Sequence, residues 1–155
     1  MTHAHPPRID ATAFYKLAPG ATAALRALGA AVEASGLDPG MIELVKVRAS
    51  QLNSCAYCVQ YHLNVAPKLG VADVKLDQAC VWREAGVFDA RERAALAWTE
   101  ALTVHLADGA PDALWAEVRE AFSETEAANL TAAIANINAW NRIAASLLFA
   151  PPART

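Results

Sequence analysis

The segment ELVKVRASQLNSCAYCVQYH, residues 43–62, holds an acid, two cysteines three positions apart and a histidine four positions past the second cysteine. Two helices are expected to meet inside it. Asp38 and Pro39 form an N-cap and first-turn pair for the first helix, whose apolar positions include Ile42, Val45 and Leu52. Asn53 or Ser54 is placed to cap the second, which runs to about Leu69 and ends at Gly70. In that second helix Cys55 falls in the first turn, where free backbone N–H groups and the helix dipole stabilise a thiolate. Cys58 lies one turn further, and His62 at i+4 from it shares its face. Three readings of the residues stay open at this point: a redox dithiol, a metal site and simple packing.

Outward from this stretch the chain reads as helix throughout. It has 155 residues, 55% of them hydrophobic and only seven of them glycine, which suits one helical domain with a sizeable core. Residues 1–19 read as an irregular N-terminal arm that docks Phe14, Tyr15 and Leu17 onto its own or a neighbouring subunit. Residues 20–149 read as the helical core and 150–155 as a tail. Leu25, Leu28 and Val32 stripe a helix that stops near Ser35-Gly36. A shorter helix is expected from about Asp73 to Ala85. Asp89 with Glu92, and Ser123 with Glu126, have capping-box spacing for two more. Pro111 begins a helix striped by Leu114, Val118 and Phe122, and the last helix reaches Phe149 before Pro151-Pro152. No β alternation or repeat competes, so the fold class is all-α.

Composition removes several function classes. A formal charge of −3, from 13 basic and 16 acidic side chains without a basic block, gives no footprint for nucleic acid. No apolar run reaches membrane-spanning length and no signal core opens the chain, so the expected location is the cytoplasm. Three cysteines are an odd number for a secreted disulfide scaffold, and a reducing compartment favours thiols kept for reactivity, metal or packing.

The 43–62 stretch resembles the signature of the carboxymuconolactone decarboxylase superfamily, in its branch similar to the alkylhydroperoxidase AhpD. The likeness continues through VWREAGVFDARERAALAWTEALT and FSETEAANLTAAIANINAWNRIA, and so covers about residues 20 to 149. The resemblance implies an AhpD-like helical domain in a symmetric homo-oligomer, trimeric or hexameric, with active sites near subunit contacts. It implies a peroxidase of hydrogen peroxide or organic hydroperoxides in which Cys58 attacks the peroxide and Cys55 resolves the sulfenic acid. Glu43 and His62 would be the proton relay, Glu43 accepting a proton from His62 directly or through water. No resident cofactor is implied; an external dithiol, on a protein or a small thiol, reopens the disulfide. Tyr57 departs from the pattern, because the best-studied peroxidases of the branch carry histidine between the cysteines. Its hydroxyl, with an ordinary pKa near 10, is a poor base at neutral pH. Tyr57 and Tyr61 read as pocket walls or proton carriers.

Two other functions compete. The family's namesake lactone decarboxylation needs cationic groups converging on an anionic substrate, for which Lys46 and Arg48 are the candidates. A metal-stabilised, non-catalytic oligomer needs a fourth ligand beside Cys55, Cys58 and His62, drawn from Cys80, His105 or Glu43. Cys80 reads as a buried small hydrophobe, and His105 as a core or interface histidine. His3 and His5 stand on the arm. Trp82, Trp98, Trp115 and Trp140 read as packing or interface anchors, and Asn136, Asn138 and Asn141 as a subunit seam or pocket wall.

Overall fold

The structure is a computed structural model, and it describes residues 6–155; His3 and His5 lie outside the described residues. Among these it is entirely helical: α1 (Ala11–Leu17), α2 (Pro19–Glu33), α3 (Pro39–Leu52), α4 (Ala56–Val65), α5 (Asp73–Gln78), α6 (Ala90–Val104), α7 (Asp112–Ala121) and α8 (Glu124–Leu147), with short 3₁₀ turns between some of them.

Helix α3 is the central element. Met41, Ile42, Leu44, Val45, Val47 and Ala49 are all buried, so apolar side chains leave it in nearly every direction. It packs against α4, α6 and α8, and α6 and α8 in turn carry α7 and α2. Asp38 caps α3 as expected, its carboxylate accepting from the Met41 N–H at 2.7 Å. Both anticipated capping boxes are formed, Asp89–Glu92 on α6 and Ser123–Glu126 on α8.

The arm is the main departure from the sequence reading. Asp10 accepts from the Ala13 N–H and starts a helix that runs to Leu17, so residues 11–17 are not irregular. Pro19 then opens α2 at once, because a proline suits a first helical turn and breaks the preceding one. Phe14 and Tyr15 dock on this same chain, against Phe149 and Trp140, whereas Leu17 is exposed. Arg8 ties the segment down further, through its backbone N–H to the Leu147 carbonyl and its guanidinium to that of Ser146.

Two other expectations move. The helix containing the cysteines tightens to 3₁₀ at Ala66–Leu69, where Pro67 lacks an N–H, before Gly70 ends it in left-handed geometry. The helix at 73–85 is shorter than expected: Asp73–Gln78, then a 3₁₀ turn at Ala79–Val81. Cys80 sits in that turn and is exposed, contrary to a buried role. His105 is also exposed, as the C-cap of α6. Trp82 and Trp98 are core residues, while Trp115 lies open on the surface. No helix among the described residues is long and apolar enough to cross a membrane.

Candidate active site

The site is built on the reversal between α3 and α4. Ser54 takes a left-handed conformation, φ 54°, and the Ser54 and Cys55 N–H groups donate to the carbonyls of Gln51 and Ser50 at 3.1 and 3.0 Å. This is a Schellman closure with serine where glycine is usual, at a cost of about 1–2 kcal/mol in local strain. The opposing interactions come from α8. Asn53 Nδ2 donates to the side-chain oxygens of Asn138 and Asn141, both at 2.9 Å, and Asn141 donates to Ser50 Oγ at 3.0 Å. Asn138 also reaches Thr103 on α6, at 3.0 Å. Asn138 and Asn141 are therefore a buried internal clamp on the turn. Only Asn136 of the three lines the pocket.

The reversal makes Cys55, not Asn53 or Ser54, the N-cap of α4, and Asn53 instead ends α3. The Cys55 sulfur accepts from the Cys58 N–H at 3.3 Å. The Cα atoms of the two cysteines are 5.4 Å apart and their sulfurs are at disulfide distance. It is therefore the Cys55 sulfur that sits at the unpaired N–H groups and the positive end of α4.

Behind Cys58 stands the acid–imidazole pair. Glu43 is 4% exposed, and its Oε2 lies 2.7 Å from His62 Nδ1 while its Oε1 accepts from Lys46 Nζ at 2.7 Å. The contact with His62 is direct. Burial pushes the Glu43 pKa up, but the hydrogen bonds and charges of His62 and Lys46 outweigh it and hold the carboxyl below its ordinary range. An ionised carboxylate can only accept, so Nδ1 carries the hydrogen and Nε2 is the imidazole nitrogen left to exchange protons.

Cys58 and His62 both line a cavity of about 440 Å³, whose other walls include Tyr15, Tyr57, Tyr61, Trp140 and Arg26. Tyr57 Oη lies 3.2 Å from Tyr15 Oη, and its ring meets Phe149 edge-on. Burial, followed by the Tyr15 hydroxyl, raises the Tyr57 pKa above its usual value, so this phenol stays protonated and can donate but not act as a base. Tyr61 stacks on Tyr57 and stands at the mouth, 48% exposed. The Arg26 guanidinium lies 4.9 Å from the Tyr15 ring centroid.

Sequence reasoning passed over Tyr15 and Arg26 as site residues, and Phe149 as a support. Phe149 is aimed inward by a second Schellman closure, at Leu148 (φ 57°), where the Leu148 and Phe149 N–H groups reach the carbonyls of Ala145 and Ala144. The Asp10 cap was the sequence signal for the helix that brings Tyr15 in.

Neither competing function finds its residues assembled. Lys46 lines the cavity but is paired with Glu43, whereas Arg48 is not part of the lining and is held by Glu100 at 2.7 Å and by Gln51, so the two do not converge. Cys80 and His105 sit exposed on other elements, and no group of three or more His, Cys, Asp or Glu side chains among the described residues is arranged to hold a metal ion.

The carboxymuconolactone decarboxylase family profile matches residues 18–101. YdfG of Bacillus subtilis is 31% identical over 134 residues, covering 86% of this chain and 91% of its own. A crystal structure from Agrobacterium tumefaciens, of a protein of unknown function proposed as an antioxidant defence protein AhpD, superposes with a TM-score of 0.89 at 38% identity, covering 96% of this chain and 100% of that one. The debrominase Bmp8 shares the fold at a TM-score of 0.77 and 23% identity, over 87% of this chain and 73% of its own. The chain belongs to the carboxymuconolactone decarboxylase family, in its AhpD-like branch.

Proposed function

We propose that this protein is a thiol-dependent peroxidase that reduces hydrogen peroxide or organic hydroperoxides through a Cys55–Cys58 dithiol/disulfide cycle. The observation that carries the reading is the convergence of Cys58 and His62 on one cavity, with Glu43 bonded to the far side of the imidazole. His62 Nε2 takes the Cys58 proton, and the resulting imidazolium is stabilised by the Glu43 carboxylate. Glu43 thus holds the tautomer and the charge rather than receiving the proton, since its lowered pKa makes it a weak base.

The Cys58 thiolate attacks one peroxide oxygen; a sulfur–oxygen bond forms, the O–O bond breaks, and the departing alkoxide or hydroxide takes a proton from His62. Cys55 then attacks the sulfenic sulfur, forming the disulfide and releasing water. An external dithiol returns two electrons. The rings of Tyr15, Tyr57, Tyr61 and Trp140 in the cavity wall favour an organic hydroperoxide over hydrogen peroxide itself.

The test is a panel of organic peroxides and hydrogen peroxide with dithiol reductants, run beside Cys58→Ser. Turnover that depends on Cys58 and consumes one dithiol per peroxide supports the assignment; turnover unchanged in Cys58→Ser removes it.

A further inference from the structure

The two cysteines of the pair are almost covered, Cys55 1% and Cys58 3% exposed, and they line different spaces. Cys58 lines the cavity with His62, whereas Cys55 lines a separate shallow groove. The walls of this groove include Gln51 at the end of α3, Ala56, Val59 and Gln60 on α4, and Pro151 of the C-terminal tail. The tail is pinned along α4 by Asn64, which donates to the Ala153 carbonyl at 2.7 Å and accepts from Gln60 at 2.8 Å. No residue lining the groove carries a charge, in contrast to the cavity, which presents Arg26, Glu33, Lys46 and His62.

We propose that this groove is the binding site for the reductant: an uncharged, slender thiol or dithiol group enters it and attacks Cys55, while peroxide uses the cavity at Cys58. The proposal rests on the dithiol cycle above. Displacement at a disulfide sulfur requires the incoming thiolate to approach in line with the bond that breaks. For attack on Cys55 that line comes from the side away from Cys58, and so from the groove. The reductant sulfur bonds to Cys55, the Cys55–Cys58 bond breaks, and its electron pair leaves on Cys58. Cys58 is the sulfur that leaves, because it shares the cavity with His62 and can take a proton from it there. The second thiol of the reductant then loses its proton and attacks the reductant sulfur of the mixed disulfide. Cys55 departs and is protonated, and the reductant leaves as a disulfide. The protein gains two electrons and two protons; the dithiol loses the same. Substrate and reductant therefore need not compete for one opening.

The experiment maps the first sulfur attacked. Protein carrying Cys80→Ser is oxidised to the disulfide with diamide, mixed briefly with the neutral monothiol 2-mercaptoethanol, quenched in acid and digested for peptide mass spectrometry. The adduct is expected on Cys55; a predominant adduct on Cys58 overturns the proposal. In parallel, Ala56→Trp, which fills the groove from an exposed position, is expected to slow re-reduction by dithiothreitol at least about tenfold while oxidation by peroxide stays within about twofold. Re-reduction at the wild-type rate in a folded Ala56→Trp protein also overturns it. Because diamide makes the disulfide without peroxide, failure of the peroxidase reading appears separately, as absence of peroxide oxidation.

Discussion

Replacing Glu43 with glutamine keeps the shape of the side chain and removes its charge. In the native protein one oxygen faces His62 Nδ1 and the other Lys46 Nζ, both at 2.7 Å, at a residue 4% exposed. The amide can accept from only one of these donors and turns its own NH₂ toward the other. Loss of a hydrogen bond to a charged group costs about 1.5–3 kcal/mol. Lys46 keeps some access to solvent, with 14% of its side chain exposed, so a total of about 2–3 kcal/mol is expected. In a chain of this size that lowers Tm by roughly 4–12 °C. The sign of the pH dependence follows from the lowered carboxyl pKa. The stabilisation is present above the unfolded-state value, near 4.5, and is lost as pH falls through the lower folded-state value. The gap in Tm between wild type and Glu43→Gln should be full at neutral pH and close in acid. Thermal unfolding followed by circular dichroism, with both proteins held reduced, measures it. The oxidation rate by peroxide should fall about ten- to a hundredfold, equivalent to about 1.4–2.8 kcal/mol of lost imidazolium stabilisation. A neutral-pH Tm within about 2 °C of wild type, with a gap that does not change in acid, would refute the coupling of Glu43 to Lys46 and His62.

Three further substitutions separate site from scaffold. Tyr57→Phe should leave the pH profile of peroxide oxidation unchanged, because the native phenol stays protonated; loss of an alkaline limb in that profile would show it acting as a base. Glu100→Ala strips Arg48, Trp82 and Arg83 of their common acceptor and should cost about 3 kcal/mol in denaturant unfolding while leaving the oxidation chemistry of folded protein intact. Ser123→Ala opens the capping box of α8 and should cost about 1 kcal/mol, read as a drop in Tm of roughly 2–4 °C.

Local signals in the sequence foretold most of the scaffold. Asp38-Pro39, Asp89 with Glu92, and Ser123 with Glu126 act through side chains only a few residues from the groups they satisfy, and each caps its helix in the structure. Glu43 and His62, by contrast, meet across two helices, 19 residues apart. Periodicity cannot place them together, and the family motif alone gave reason to pair them. The misreadings have the same origin. Ser54 and Leu148 adopt left-handed geometry without being glycine, so no breaker marked where Cys55 becomes a cap or Phe149 turns inward. Tyr15 enters the cavity only because α1 is a helix, and a seven-residue helix gains its stability from docking rather than propensity. Cys80 looked apolar by type, yet the helix tightens to 3₁₀ beneath it and leaves it at the surface.

The central claim is that Cys58 is the sulfur that meets peroxide. With Cys80→Ser in the background to remove the exposed third thiol, Cys55→Ser and Cys58→Ser proteins would each be given one equivalent of organic hydroperoxide in the presence of a sulfenic-acid trap and examined by intact mass. The Cys55→Ser protein should gain one trapped sulfenate, located on Cys58, while the Cys58→Ser protein stays unmodified on the same timescale. A sulfenate that forms faster on Cys55 than on Cys58, or on neither, would contradict the account.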